Sequence, residues 1–150
     1  VGGHAFTAAY AIANPLSYSA QSAFELFLSD KPIDCTSATL ENSTSMDFIV
    51  LTTLGSTIPK GTYGVIDPTS AAVTATDGDG NFNVQDATCG TTLAEKSLSG
   101  EVVVTASDQT LIVGTLDVTF QSDAHTADGQ VTGGFKATVC PAFPPNCVGH

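Results

Sequence analysis

The sequence has no arginine and no tryptophan, and apart from three histidines its only cations are Lys31, Lys60, Lys96 and Lys136. Fifteen acids against these four leave a net charge of −11. Nucleic-acid affinity rests on cationic side chains that neutralise phosphates, so no nucleic-acid partner is expected. An anionic membrane surface repels the same charge. No apolar run approaches the roughly 20 residues of a spanning helix, so no membrane span is expected. There is no Gly-x-Ser-x-Gly elbow to present a hydrolase serine, no Cys-x-x-Cys-His for haem attachment, and no amphipathic helical repeat. His4, His125 and His150 lie far apart in the chain. His125 stands with Asp123 and Asp128 in an acidic loop, but no nucleophile is marked out beside them. Without tryptophan, a common platform for sugars is also missing. The chain is not expected to be an enzyme.

What the chain has is alternation. Between Gly100 and Cys140 three runs alternate with period two. Val102, Val104 and Ala106 share one face of the first. Ile112, Gly114, Leu116, Val118 and Phe120 share one face of the second, and Val131, Gly133, Phe135, Ala137 and Val139 one face of the third. Successive side chains of a strand point to opposite faces, so this is a three-stranded antiparallel meander with one apolar side. Residues 107–109 and 123–129 carry turn chemistry. The meander needs the rest of the chain to cover it.

Upstream, Phe6, Ala8, Tyr10 and Ile12 alternate with small and polar residues and predict an N-terminal strand, followed by a polar loop over residues 15–22. Residues 24–28 (FELFL) are apolar at nearly every position and predict a central strand covered on both sides. Further strands are expected over residues 46–53 and 62–66, with a weak one over 71–76. The sequence DGDGN at 77–81 predicts a tight turn, because Asp-Gly supplies positive φ. The expected fold is a single all-β domain, residues 1–150: an antiparallel β-sandwich or flattened barrel of about 7–9 strands, stapled by disulfides. Its size suits one real core.

The order of these motifs resembles a family of uncharacterised bacterial secreted proteins and lipoproteins, frequent in predatory soil bacteria. The likeness rests on Val1-Gly2-Gly3 with Phe6, on Leu28 to Pro32 followed by Cys35, on Pro59-Lys60-Gly61-Thr62-Tyr63, and on the stretch from Ser99-Gly100 to Cys140. The resemblance implies a surface β-domain with no established activity. The tail after Cys140, with an extra cysteine, departs from it.

Four cysteines fit an oxidising compartment and permit three pairings. Cys140 and Cys147 enclose the stiff hexapeptide PAFPPN in the proline-rich tail 141–150, which favours their pairing and leaves Cys35 with Cys89. A metal site using Cys140, Cys147 and His150 lacks a second pair of ligands at similar spacing. Asp77, Asp79 and Asn81 place oxygen ligands at alternate positions, as a calcium loop requires, but Phe82 and Thr88 stand where an EF-hand needs glycine and glutamate. Calcium is the one candidate cofactor. Asn42-Ser43-Thr44 matches a glycosylation acceptor.

These features favour a non-enzymatic structural protein of the cell exterior, read as a mature chain after signal removal, that self-associates into a filament or appendage. Residues 1–14, through Phe6, Ala8, Tyr10 and Ile12, are its candidate assembly strand, lying against a neighbouring subunit's sheet edge. The alternative is an adhesion module that binds calcium through the 77–86 loop or a glycan through Tyr18 or Tyr63.

Overall fold

In a computed structural model of the protein, the described residues are 1–17, 22–38, 40–52, 58–67, 69, 77–122 and 126–142. They form eight strands of one sheet: β1 (Tyr10–Ser17), β2 (Ser22–Ser29), β3 (Thr44–Thr52), β4 (Gly61–Ile66), β5 (Asp77–Gln85), β6 (Thr91–Ser107), β7 (Leu111–Gln121) and β8 (Ala127–Val139). The sheet closes into a barrel in the order β1-β2-β3-β5-β4-β6-β7-β8. Most neighbours are antiparallel. The exceptions are β4 with β5 and the closing pair β1 with β8. The expected meander is present as β6-β7-β8. A bulge between Val104 and Ala106 turns Ala106 outward, so it does not share the buried face of Val102 and Val104.

The interior is packed with side chains. Phe24, Phe48, Phe82 and Phe120 are fully buried, and aromatic contacts run from Phe6 to Phe82 (5.9 Å), Phe82 to Phe120 (5.7 Å) and Phe120 to Phe48 (6.2 Å). An eight-stranded barrel is just wide enough for side chains to fill it. Aromatic rings this large need matching gaps in the wall, and glycines supply them. A Cβ on Gly80 would lie 2.3 Å from the Phe48 ring, and one on Gly114 would lie 2.6 Å from the Phe135 ring.

That packing explains the first correction. The stretch DGDGN is not a turn but the start of β5, paired with β3 through Gly80↔Phe48 and Asp79↔Ile49. Its glycines face inward, Gly80 against the Phe48 ring and Gly78 against the β3 main chain at Ile49 and Val50, and Asp77, Asp79 and Asn81 occupy the other face. The turn chemistry is real, but the packing requirement overrides it. A second correction concerns residues 15–22: β1 continues through Pro15, which pairs with Phe24. The carbonyl of Ala13 accepts from Cys140 N on the β8 side. Alternation puts the missing N–H of Pro15 on that same side, where no ladder bond is lost. The expected weak strand at 71–76 lies outside the described residues.

β6 is long enough to serve two partners. Residues 91–96 pair with β5, and residues 99–104 with β4. Ser97, fully buried at a bulge, joins the two: its Oγ accepts from Gly80 N (3.0 Å) and donates to the Ile66 carbonyl (2.7 Å). Gln121 Nε2 donates to the Ser97 carbonyl (3.2 Å). The loops are fastened by a repeated device. In each of Asp34-x-Thr36, Asp67-x-Thr69, Asp86-x-Thr88 and Asp108-x-Thr110, the aspartate Oδ1 accepts from both the threonine N–H and its hydroxyl at 2.7–2.8 Å.

As expected, β2 is covered on both sides. Phe24, Leu26 and Leu28 face the barrel core, and Phe27 joins Ile12, Ile33, Leu40 and Cys140 in a second cluster outside the wall.

Candidate functional site

The cysteines staple this outer cluster. Cys35 is bonded to Cys140, with Cα atoms 5.2 Å apart and a sequence separation of 105. The pairing of Cys140 with Cys147 and Cys35 with Cys89 is therefore not the one formed. Cys89 is disulfide-bonded as well. The physical reason is the second cluster. The loop after β2 must be pressed against β1 and β2 for Ile33 and Leu40 to be buried, and Cys140, at the end of β8, lies beside that loop.

Asp77, Asp79 and Asn81 occupy alternate positions along a strand, separated by about 7 Å per pair of residues, instead of wrapping round one point. Among the described residues, no group of three or more His, Cys, Asp or Glu side chains is arranged to hold a metal ion. Tyr63 is buried, with its hydroxyl donating to the Pro59 carbonyl (2.7 Å), so it is not a surface platform for a glycan. Tyr18, His125 and His150 lie outside the described residues. Asn42 is exposed in a left-handed conformation (φ 52°), and Ser43 is buried, bonded to Gln85.

The predicted assembly residues are split. Phe6 packs against the barrel core, Ile12 belongs to the outer cluster, and Ala8 and Tyr10 are exposed. Tyr10 and Ile12 share a face of β1, but Phe6 and Ala8 precede it, because regular strand begins only at Tyr10. Residues 1–9 lie on their own barrel. Val1 and His4 form a turn through His4 N→Val1 O (2.8 Å), Gly2 N donates to Asp128 Oδ2 (2.7 Å), and Ala9 N to the Ser29 carbonyl (3.0 Å).

No family model, curated protein or solved structure matches the chain. One polar cluster was not anticipated: Glu25, Asp47 and Asp79 on the outer faces of β2, β3 and β5. Glu25 and Asp79 flank Ile49 in register, and Asp47 precedes Ile49 by two residues on the same face. The alternation in FELFL and MDFIV already places Glu25 and Asp47 outside. Their adjacency depends on strand register, which the sequence does not give.

Burial, then the neighbouring Asp47 charge and a hydrogen bond to it, push the Glu25 carboxyl up to about 7. Burial also raises Asp47, to about 6, against the opposing effect of the Glu25 hydrogen bond, with the Asp79 charge adding to the rise. The pair thus holds a proton near neutrality, with Glu25 as donor. In contrast, hydrogen bonds from the Asp-x-Thr staples hold Asp34, Asp86 and Asp108 below the usual carboxylate range.

The two sets act in opposite directions. For Glu25 and Asp47 the folded state binds more protons than the unfolded one between about pH 4 and 7, so stability falls as pH rises through that window. For the staples the folded pKa is depressed, so their contribution is present above the ordinary carboxylate pKa and lost as pH falls through the folded value. Stability should therefore peak in mildly acidic solution. The variant Glu25→Gln/Asp47→Asn should flatten the alkaline side and be more stable than the parent at pH 8, by about 1–2 kcal/mol after discounting for solvent at the half-exposed Glu25. Urea melts at pH 3, 5 and 8 check this. A parent protein that is most stable at pH 8 contradicts it.

Proposed function

We propose that this chain is a non-enzymatic structural protein of the cell exterior that self-associates into a filament or appendage. The observation that carries the reading is how the polar and sulfur chemistry is used. The Asp-x-Thr motifs fasten turns, Ser97 and Gln121 join strands, and Cys35–Cys140 clamps a loop to the wall. The barrel centre is filled by aromatic rings. Such a body resists deformation and offers little interior volume to a ligand.

The disulfide fits an oxidising compartment. The acid excess suits a protein that must stay soluble outside the cell. The surface-domain family suggested by Val1-Gly2-Gly3, the Cys35 loop and the meander agrees with this placement. Light scattering and negative-stain electron microscopy of the full chain test the proposal. Concentration-dependent oligomers or fibres are expected. A compact monomer throughout the accessible concentration range overturns it.

A further inference from the structure

The barrel closes through a short ladder. β1 and β8 are paired in parallel only at Ile12↔Thr138 and Ala13↔Val139, an offset of 126 residues. At the far end of the same seam, Gly2 N reaches the Asp128 carboxylate, again at an offset of 126, and a Cβ on Gly129 would lie 2.7 Å from Val1 Cα. The N-terminal segment is therefore matched in length to the free edge of β8. Between the two clasps it bows away. Residues 3–5 and 7–9 are exposed and carry no strand pairing.

A groove of about 230 Å³ opens there, with Phe6, Thr7 and Ala8 on one side and residues 131–134 on the other. The β8 side of this groove is bare main chain at Gly133 and Gly134, beside Val131 and Thr132. Gly133 has φ 152° and nothing within 4 Å of where a Cβ would stand, and Thr132 and Gly134 are exposed. Cys140 N bonds toward β1 and Val139 N toward the β7 side. By alternation, the N–H groups of Gln130, Thr132, Gly134 and Lys136 point into the seam. An edge of this kind takes up an extended strand.

We infer that the seam exchanges strands between molecules: residues 4–9 of a second copy of this chain, the stretch ahead of β1, lie along residues 130–136 of β8. Three features favour this occupant. The slot has the length of the segment, as the shared offset shows. The segment's own hold is confined to its ends and to Phe6 on Phe82. The second copy's Phe6 fits the seat that the first vacates. Exchanging an identical element is a low-cost route to association, and passing it head-to-tail makes an open chain of subunits. The inference rests on the self-association proposed above and names its donor and acceptor.

The test uses the full chain with a photoreactive benzophenone side chain at exposed Ala8, mixed with an isotopically heavy copy. Crosslinks from position 8 to residues 130–136 are then sorted by mass into intramolecular and mixed species, with light scattering on the same samples. Mixed crosslinks should appear and increase with concentration. Thr132→Pro removes one seam-facing N–H without touching the β7 ladder, and should reduce the mixed share about three- to tenfold. Association with only intramolecular crosslinks overturns strand exchange and leaves the proposed function standing. Absence of association at every concentration overturns the proposed function itself.

Discussion

Replacing Cys35 and Cys140 together by serine should lower stability by about 4–5 kcal/mol, the largest loss expected from removing any single covalent feature. The bond closes a loop of 105 residues, and in the chain-entropy account a loop of about 100 residues contributes about 4.7 kcal/mol by restricting the unfolded chain. The disulfide at Cys89 restricts part of the same unfolded chain, which trims the figure. The enthalpic side points the same way, because the bond holds Ile33 and Leu40 over Ile12 and Phe27. In a domain of this size the loss corresponds to a fall of about 10–20 °C in melting temperature. Urea and thermal melts of the double variant, beside the parent with and without reductant, measure it. A loss below about 1 kcal/mol would mean that the loop is held by its apolar contacts alone.

The second large effect lies inside the barrel. Phe48→Ala should cost about 3–5 kcal/mol, the usual range for truncating a fully buried phenylalanine. Gly80→Val should also destabilise, by about 1–3 kcal/mol, because its Cβ would stand 2.3 Å from the Phe48 ring. The two changes should not add. With the ring gone, the new side chain enters the space it vacated, so the double variant should be more stable than the sum of the singles by about 1 kcal/mol or more. Denaturation of all four proteins gives this coupling directly. Strict additivity would mean that the clash of Gly80 with the Asp47 carbonyl, at 3.2 Å, outweighs the clash with the ring.

This pair also shows where sequence reading succeeds and where it stops. The strands centred on FELFL, MDFIVLTT and the β6-β7-β8 meander were legible because period-two apolarity reports burial directly. DGDGN was misread because Asp-Gly has the same local preference in a turn and in a strand that must leave room for an aromatic ring. Only the partner strand, carrying Phe48, decides between them. Pro15 was misread for a related reason: proline is barred from a central ladder but not from the side of a strand that faces a seam. The cysteine pairing escaped because loop length was weighed without the burial of Ile33 and Leu40. The Glu25–Asp47 contact and the half-open seam both depend on register between strands distant in sequence, which alternation within one strand does not specify.

The offset of 126 across the closing ladder also sets an order of events during biogenesis. Contacts this distant in sequence form late, after the local hairpins. As the polypeptide is made, β1 can pair with β2 once Ser29 has emerged, whereas Ile12 and Ala13 must wait for their partners Thr138 and Val139. For most of its synthesis the chain therefore carries β1 with one edge unmatched, and crowding of nascent copies would decide whose β8 that edge meets.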